Sequence, residues 1–448
     1  MTKTPVLKLV ALLSLPTMTS QMITSIYNMA DAFFVSKIST SASGAVSVTF
    51  AIQTIIQALG YGFATGAGSI ISRRLGQKKT DEANVYMNSA FLSAFVAGIL
   101  ILVTFSVNLD TWLKLFGATE TILPYAKDYV IYLLFAAPIM ASSFVLNLAL
   151  KAEGKATFTM IAMMTGGLLN LALDPLFILT FGLGIAGASI ATLISQCTSF
   201  LIMFIFFIRG KSLLTLSPKY ISKHFSCYKE IIVTGMPTVF RQGLACVSTT
   251  LLNLQVKPFG DSAIAAVGNA NKVYMLLRNM LLGIGQGFQP VAGFNYGAGI
   301  KKRVKQSFWS AVFLGSCISV VSALVALFFP EAIMSAFIPD DPEFIQIGST
   351  MLRIMSAALP FLAFSTFVNQ LYQGLGFSKC ASLLASCRQG IFFIPLILIL
   401  PARLGILGIQ LTQTLADLLT VAFSIPFCIY FIKRVLKEDS TANTNTQV

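Results

Sequence analysis

"LVALLSLPTMTSQMITSIYNMADAFFV", residues 9–35, is longer than the roughly 20 apolar residues that carry a helix across a bilayer. The apolar stretch around it, 7–35, is too long for the core of a secretory signal and has no cleavage-type ending, so it reads as a first membrane span. Comparable runs recur at 44–71, 85–108, 121–149, 156–181 and 184–208. A second set follows at 230–256, 263–291, 306–330, 345–373, 380–400 and 405–432. Composition agrees: 56% of the 448 residues are hydrophobic and 11% are charged, against about 25% charged in a soluble domain. The expected fold class is an all-α polytopic membrane protein with twelve transmembrane helices.

The chain also repeats itself. At an offset of 221 or 222, "SLPT" at 14–17 meets "GMPT" at 235–238, and Gly62, Gly66 and Gly76 meet Gly283, Gly287 and Gly297. Pro138, Asn147 and Gly154 meet Pro360, Asn369 and Gly376, and "GIAG" at 184–187 meets "GILG" at 405–408. The period holds an even number of spans, so both halves enter the membrane in the same sense. Two six-helix lobes related by a pseudo-twofold axis along the membrane normal, with a cleft between them, are expected. The boundaries read as an N-lobe at 1–208, a cytoplasmic lobe linker at 209–229, a C-lobe at 230–434 and a disordered polar tail at 435–448.

The net charge of +14 would suit nucleic acid, but its placement excludes that reading. Arg73, Arg74, Lys78, Lys79, Lys151, Lys155, Lys219, Lys301, Lys302, Arg303 and Lys305 fall to loops on one side. The opposite loops hold few basic residues (Lys37, Lys114, Lys257, Arg403) and the acidic run "DDPE" at 340–343. The positive-inside rule then puts both termini in the cytoplasm of a multi-pass cell-membrane protein. The seven cysteines are scattered and the one histidine, His224, lies in a loop. No metal or organic cofactor is expected.

Acidic residues are scarce inside the spans, and three stand out: Asp31, Asp174 and Asp417. Each needs a partner, a proton or a water-filled cavity, because a charge at the bilayer centre costs about 2.5–3.5 kcal/mol. In the first span, Ser14, Thr17, Gln21, Thr24, Asn28 and Asp31 form one polar stripe at helical spacing. In "GGLLNLALDP" at 166–175, Asn170 and Asp174 share a helix face, and Pro175 frees the carbonyl of Leu171 and marks a bend. Thr192 lies at a similar depth, all three helices placing their polar groups roughly 6–12 Å below the membrane boundary opposite the basic loops. Oxygen ligands of this kind suit Na⁺, and two nearby carboxylates equally compete for one proton. Asp31, Asn170, Asp174 and Thr192 are therefore the candidate ion-coupling set, with Pro175 as its bend. Leu252 and Pro395 stand at the corresponding places of the second half, which carries Arg241, Lys272, Arg278, Arg353 and Arg388 in or near its spans. Asp417 is expected to neutralise one of these. Candidates for lining the cleft are Gln21, Thr24, Asn28, Asn147, Gln286, Gln289 and Asn369.

The paired lobes, the first-span "LP" with a later Asp, "RRLGQKK" at 73–79 and "NLALDP" at 170–175 together resemble the multidrug and toxic compound extrusion (MATE) family over essentially the whole chain. The Asp31, Asn170, Asp174 and Thr192 set is similar to the N-lobe cation site of the prokaryotic branch with DinF- and MepA-like members. Span seven is read as offering no Glu or Asp, so the C-lobe sodium site of NorM-like members is not expected. The resemblance implies a non-enzymatic, monomeric antiporter that exports drugs or small organic cations against H⁺ or Na⁺. The alternative is a lipid-linked saccharide or lipid flippase on the same two-lobe plan, which would want a strongly cationic cleft. A membrane enzyme would need clustered His, Asp or Glu at the surface, and a channel a pore ring or re-entrant segment; neither is visible.

Overall fold

The computed structural model describes residues 2–36, 38–339 and 341–435. Lys37, Asp340 and the tail from 436 onward, all used in the reading above, lie outside the described residues. Twelve long helices account for most of the rest. The first six are α1 (Val6–Ser36), α2 (Thr40–Gly76), α3 (Thr80–Ser106), α4 (Leu123–Ala152), α5 (Ala156–Thr180) and α6 (Gly184–Ile208). The second six are α7 (Phe225–Val256), α8 (Asp261–Gly297), α9 (Lys301–Phe328), α10 (Pro342–Leu375), α11 (Ser378–Leu404) and α12 (Ile406–Tyr430). Eleven are long and apolar enough to cross a membrane by length and composition. The exception is α8, whose Asn269, Asn271, Lys272, Arg278 and Asn279 dilute its apolar run; it is enclosed by α1, α2, α9 and α10 instead.

The repeat seen in the sequence reappears in local structure. Gly154 and Gly376 follow α4 and α10 with φ of 91° and 88°, the left-handed conformation in which a glycine lets a helix end. These two are also the most enclosed of the eleven helices apolar enough to cross a membrane. Short helices Leu109–Leu115 and Pro330–Ser335 precede α4 and α10 in the same register. Asp341 caps α10 by accepting the Phe344 amide at 3.0 Å, and the Ser262 hydroxyl donates to it at 2.7 Å. These bonds hold its carboxyl below the usual carboxylate range.

Three glycine contacts, each made twice, join the lobes. A Cβ on Gly66 would stand 2.2 Å from the Ile231 carbonyl and 3.1 Å from the Gly235 amide; one on Gly287 would stand 2.5 Å from Leu13 and Ser14 backbone atoms. Gly62 meets Val239 and Gly283 meets Met18; Gly76 meets Phe294 and Gly297 meets Arg73. In each case the second contact is the first moved by one repeat with its partners exchanged, which is what a twofold axis between the lobes requires. The backbones therefore touch where α2 crosses α7 and where α8 crosses α1. Side chains follow the same seam: the Thr65 and Thr238 hydroxyls bond at 2.9 Å, Gln289 Nε2 donates to Ser69 Oγ at 2.8 Å, and Asn279 Nδ2 donates to Ser25 Oγ at 3.0 Å. All of these contacts lie between the basic loops and about the middle of the helices.

Lys151, expected in a loop, is buried in the last turn of α4, and its Nζ donates to Gln286 Oε1 across the seam at 3.0 Å. Residues 209–224 between the lobes lie against the N-lobe. The Thr215 and Ser217 amides donate to Asn84 and Asn88 side chains at 2.8 and 2.9 Å, and the Ser222 amide to Ser89 Oγ at 2.9 Å.

Candidate functional site

In "GGLLNLALDP" the two glycines set the position of everything after them. A Cβ on Gly166 would fall 1.9 Å from Ser199 Oγ of α6, and one on Gly167 would fall 2.8 Å from Ile23 of α1. With no side chains there, α5 lies directly on both neighbours. One turn further, Asn170 and Asp174 meet groups from α1, α4 and α6.

Asn170 Nδ2 donates to Asp174 Oδ1 at 3.2 Å and to Thr192 Oγ1 at 3.3 Å. Tyr129 of α4 donates its hydroxyl to Asp31 Oδ2 at 3.0 Å. Asp31 and Asp174 are close enough to interact electrostatically, and Tyr129 senses both. Tyr27 stands beside Asp31, with Gln196 Nε2 at 3.5 Å from its hydroxyl. All four proposed ion-coupling residues are buried, and the structure brings them into one cluster.

The cluster is short of donors. Asp31 Oδ1, Asn170 Oδ1 and Asp174 Oδ2 are buried with no hydrogen-bond partner. No Lys or Arg forms an ion pair with either aspartate among the described residues. A buried polar atom left unpaired costs about 1–3 kcal/mol, more if charged, so three acceptors at one point call for a cation or protons. An all-oxygen donor set matches a hard monovalent cation. Beyond Pro175 the chain does not leave the helix: Leu176–Thr180 form a wider π-helical turn, which is how the backbone absorbs the missing proline donor.

Tyr129, Tyr27 and Gln196 escaped the sequence reading. A tyrosine inside a span needs a partner for its hydroxyl, which was the available signal, but Tyr129 lies in the first turns of α4 beside Lys127 and Asp128, where a polar residue reads as the end of a span.

The cleft candidates scatter. Gln286 and Gln289 lie on the seam, bonded to Lys151 and Ser69. Asn147 and Asn369 face into their own lobes: Asn147 Nδ2 lies 4.0 Å from Met203 Sδ, and Asn369 Nδ2 donates to the Ala381 carbonyl at 2.7 Å. On α1, Gln21 and Thr24 are half-buried and Asn28 is exposed. The polar stripe is divided in use, since Ser14 and Thr17 bond the Ile284 and Gly283 carbonyls of α8 at 3.0 and 2.6 Å. The reading that span seven lacks an acid needs correction, because α7 contains Glu230. That residue sits at the basic-loop end, where Tyr86 bonds it and Arg73 lies 3.8 Å away.

Twelve transmembrane helices in two pseudo-twofold lobes, with unpaired carboxylates buried in one of them, define a two-lobed membrane transporter. The MatE family model matches residues 16–176 and again 237–399, one copy in each half. The chain belongs to the MatE family. It is 25% identical over 440 residues to the multidrug export protein MepA of Staphylococcus aureus strain N315, covering 98% of this chain and 97% of that one. MepA of Staphylococcus haemolyticus is 25% identical over 430 residues, covering 96% and 94%. Among solved structures, a MATE transporter in complex with MaL6 superimposes with a TM-score of 0.92 at 24% identity, covering 97% of this chain and 98% of that one. An outward-facing multidrug-resistance MATE transporter of the MOP superfamily gives 0.92 at 23%, covering 97% of each.

Proposed function

We propose that this protein is a secondary active antiporter that exports bulky, often cationic organic compounds in exchange for H⁺ or Na⁺. The observation that carries the coupling is the group of three unpartnered buried oxygens on Asp31, Asn170 and Asp174. Family membership and the multidrug-export names of the relatives support the cargo. Asp31, Asn170, Asp174 and Thr192 hold the coupling ion, with Pro175 and its π turn as the yielding point of α5. The lobes, 1–208 and 230–434, rock about the glycine seam to expose the cleft to one side at a time, as a monomer. The basic loops and both termini face the cytoplasm, so the seam closes the cytoplasmic side.

The deciding experiment is ethidium movement in proteoliposomes of the purified protein, with proton and sodium gradients imposed separately. Movement driven by one of the two gradients is expected. Ethidium flux that ignores both gradients overturns the reading.

A further inference from the structure

The C-lobe holds the counterpart of the N-lobe cluster with its charge reversed. Four helices wall a pocket there. Asn271, Tyr274, Met275 and Arg278 come from one face of α8 at i, i+3, i+4 and i+7, Ser248 from α7, Arg388 and Gln389 from α11, and Gln413 from α12. By the repeat, α7, α11 and α12 correspond to α1, α5 and α6, the helices that carry the aspartate cluster. Arg388 and Gln389 ride on a π-helical turn, Cys387–Phe392, just as the aspartate cluster adjoins one in α5.

The carboxylate that the pocket wall holds, Asp417, is already saturated. Asp417 accepts Arg388 Nε at 2.6 Å and Gln413 Nε2 at 2.9 Å on one oxygen, and the Tyr274 hydroxyl on the other. Two further guanidiniums, Arg241 and Arg278, are close enough to Arg388 to be repelled by it. Neither forms an ion pair among the described residues, and Arg278 Nε is buried without a hydrogen-bond partner. Arg278 and Arg388 in the pocket wall, with Arg241 near Arg388, thus have one carboxylate beside them in a low-dielectric interior, where unpaired charge is costly. The group that relieves this is an oxyanion, which a guanidinium fork grips with two parallel hydrogen bonds.

We propose that the C-lobe pocket around Arg278, Arg388, Tyr274 and Asn271 is an oxyanion-binding subsite, taking the carboxylate or phosphate of an organic molecule that enters the cleft. Arg278 and Arg241 supply the uncompensated charge, and Asp417 keeps Arg388 in place. The subsite adds an anionic group to the substrate class of the proposed exporter and in that respect rests on the export reading. Binding itself needs no gradient, so the two are tested apart.

The test uses purified full-length protein in phosphatidylcholine nanodiscs and fluorescence anisotropy with two dyes. Rhodamine 110 bears a free carboxylate; rhodamine 123 is its methyl ester and a cation. Wild type is expected to bind rhodamine 110 about tenfold more tightly, the scale of one charge-assisted hydrogen bond. Arg278→Gln should bring the two dyes together, Arg278→Lys should keep part of the preference, and Arg241→Gln serves if Arg278→Gln fails to fold. Arg353→Gln, which breaks an exposed pair with Glu331 at 2.8 Å, should change nothing. Equal affinities in wild type, or an unchanged preference in folded Arg278→Gln, overturns the proposal. Repeating the titration in phosphatidylglycerol nanodiscs identifies the source of the oxyanion. Unchanged rhodamine 110 affinity marks a soluble molecule; a loss that Arg278→Gln removes marks the phosphate of a net anionic lipid headgroup in the same subsite. Failed ethidium export with an intact dye preference would refute the export reading alone.

Discussion

Asp31 and Asp174 reach the same cluster from helices far apart in sequence, and each leaves one oxygen unbonded. If the two form one coupled unit, Asp31→Asn and Asp174→Asn should each abolish gradient-driven dye efflux while folding and dye binding persist. The double variant should be no worse than either single one. Robust efflux by folded Asp174→Asn under either gradient would reduce the residue to a polar clamp between helices. Asp417 has a different task. It is 1% exposed and neutralises Arg388, so Asp417→Asn strands a buried guanidinium and should cost on the order of 3 kcal/mol. A clear drop in melting temperature with coupling retained is the expected result; normal melting with all gradient-driven transport lost would show that the N-lobe assignment is incomplete. The sequence exposed both aspartates because a carboxylate in an apolar run has few harmless explanations. It did not expose Tyr129, since a tyrosine next to Lys127 and Asp128 at the start of a span reads equally well as an interfacial anchor.

At the level of helices, the legible features were those written in glycine and proline. Gly66, Gly76, Gly287 and Gly297 aligned in sequence and proved to be the points where the lobes touch. What they touch was hidden, because the partner of a glycine is backbone, and backbone leaves no residue signature. Gly66→Ala drives a methyl group to 2.2 Å from the Ile231 carbonyl, an overpacking worth about 1–3 kcal/mol. It should loosen α2 from α7 and raise alkylation of a cysteine placed at Thr238 in a cysteine-free background. Gly243→Ala, with nothing within 4 Å, should leave that alkylation unchanged; so would Gly66→Ala if the seam were incidental to the conformational balance. The polar stripe of α1 taught a similar lesson. Its spacing correctly put Ser14 and Asp31 on one helix face, yet one bonds α8 and the other α4, because the neighbours along a long helix change with height.

For the whole molecule, charge asymmetry and the internal repeat were enough to give the two-lobed plan, since both depend only on order along the chain. The span count held even though α8 falls short of membrane-like hydropathy; Asn269, Asn271, Arg278 and Asn279 are partly buried against protein, and Lys272 is exposed. Single cysteines at 301–305 should resist impermeant maleimide added to intact cells and react after permeabilisation. Labelling from outside would reverse the topology.

The connection between the lobes has one more consequence. Residues 213–222 are hydrogen-bonded chiefly to side chains of the N-lobe, with the Tyr228 hydroxyl of α7 donating to the Ser222 carbonyl at 2.8 Å, while the lobes meet through paired glycines elsewhere. The peptide link past Ser222 therefore contributes mainly proximity: it sets the effective concentration of one half near the other. Two separate polypeptides, divided there and made together, carry every surface they need to find each other, and the chain is in this sense a dimer whose subunits happen to share a backbone.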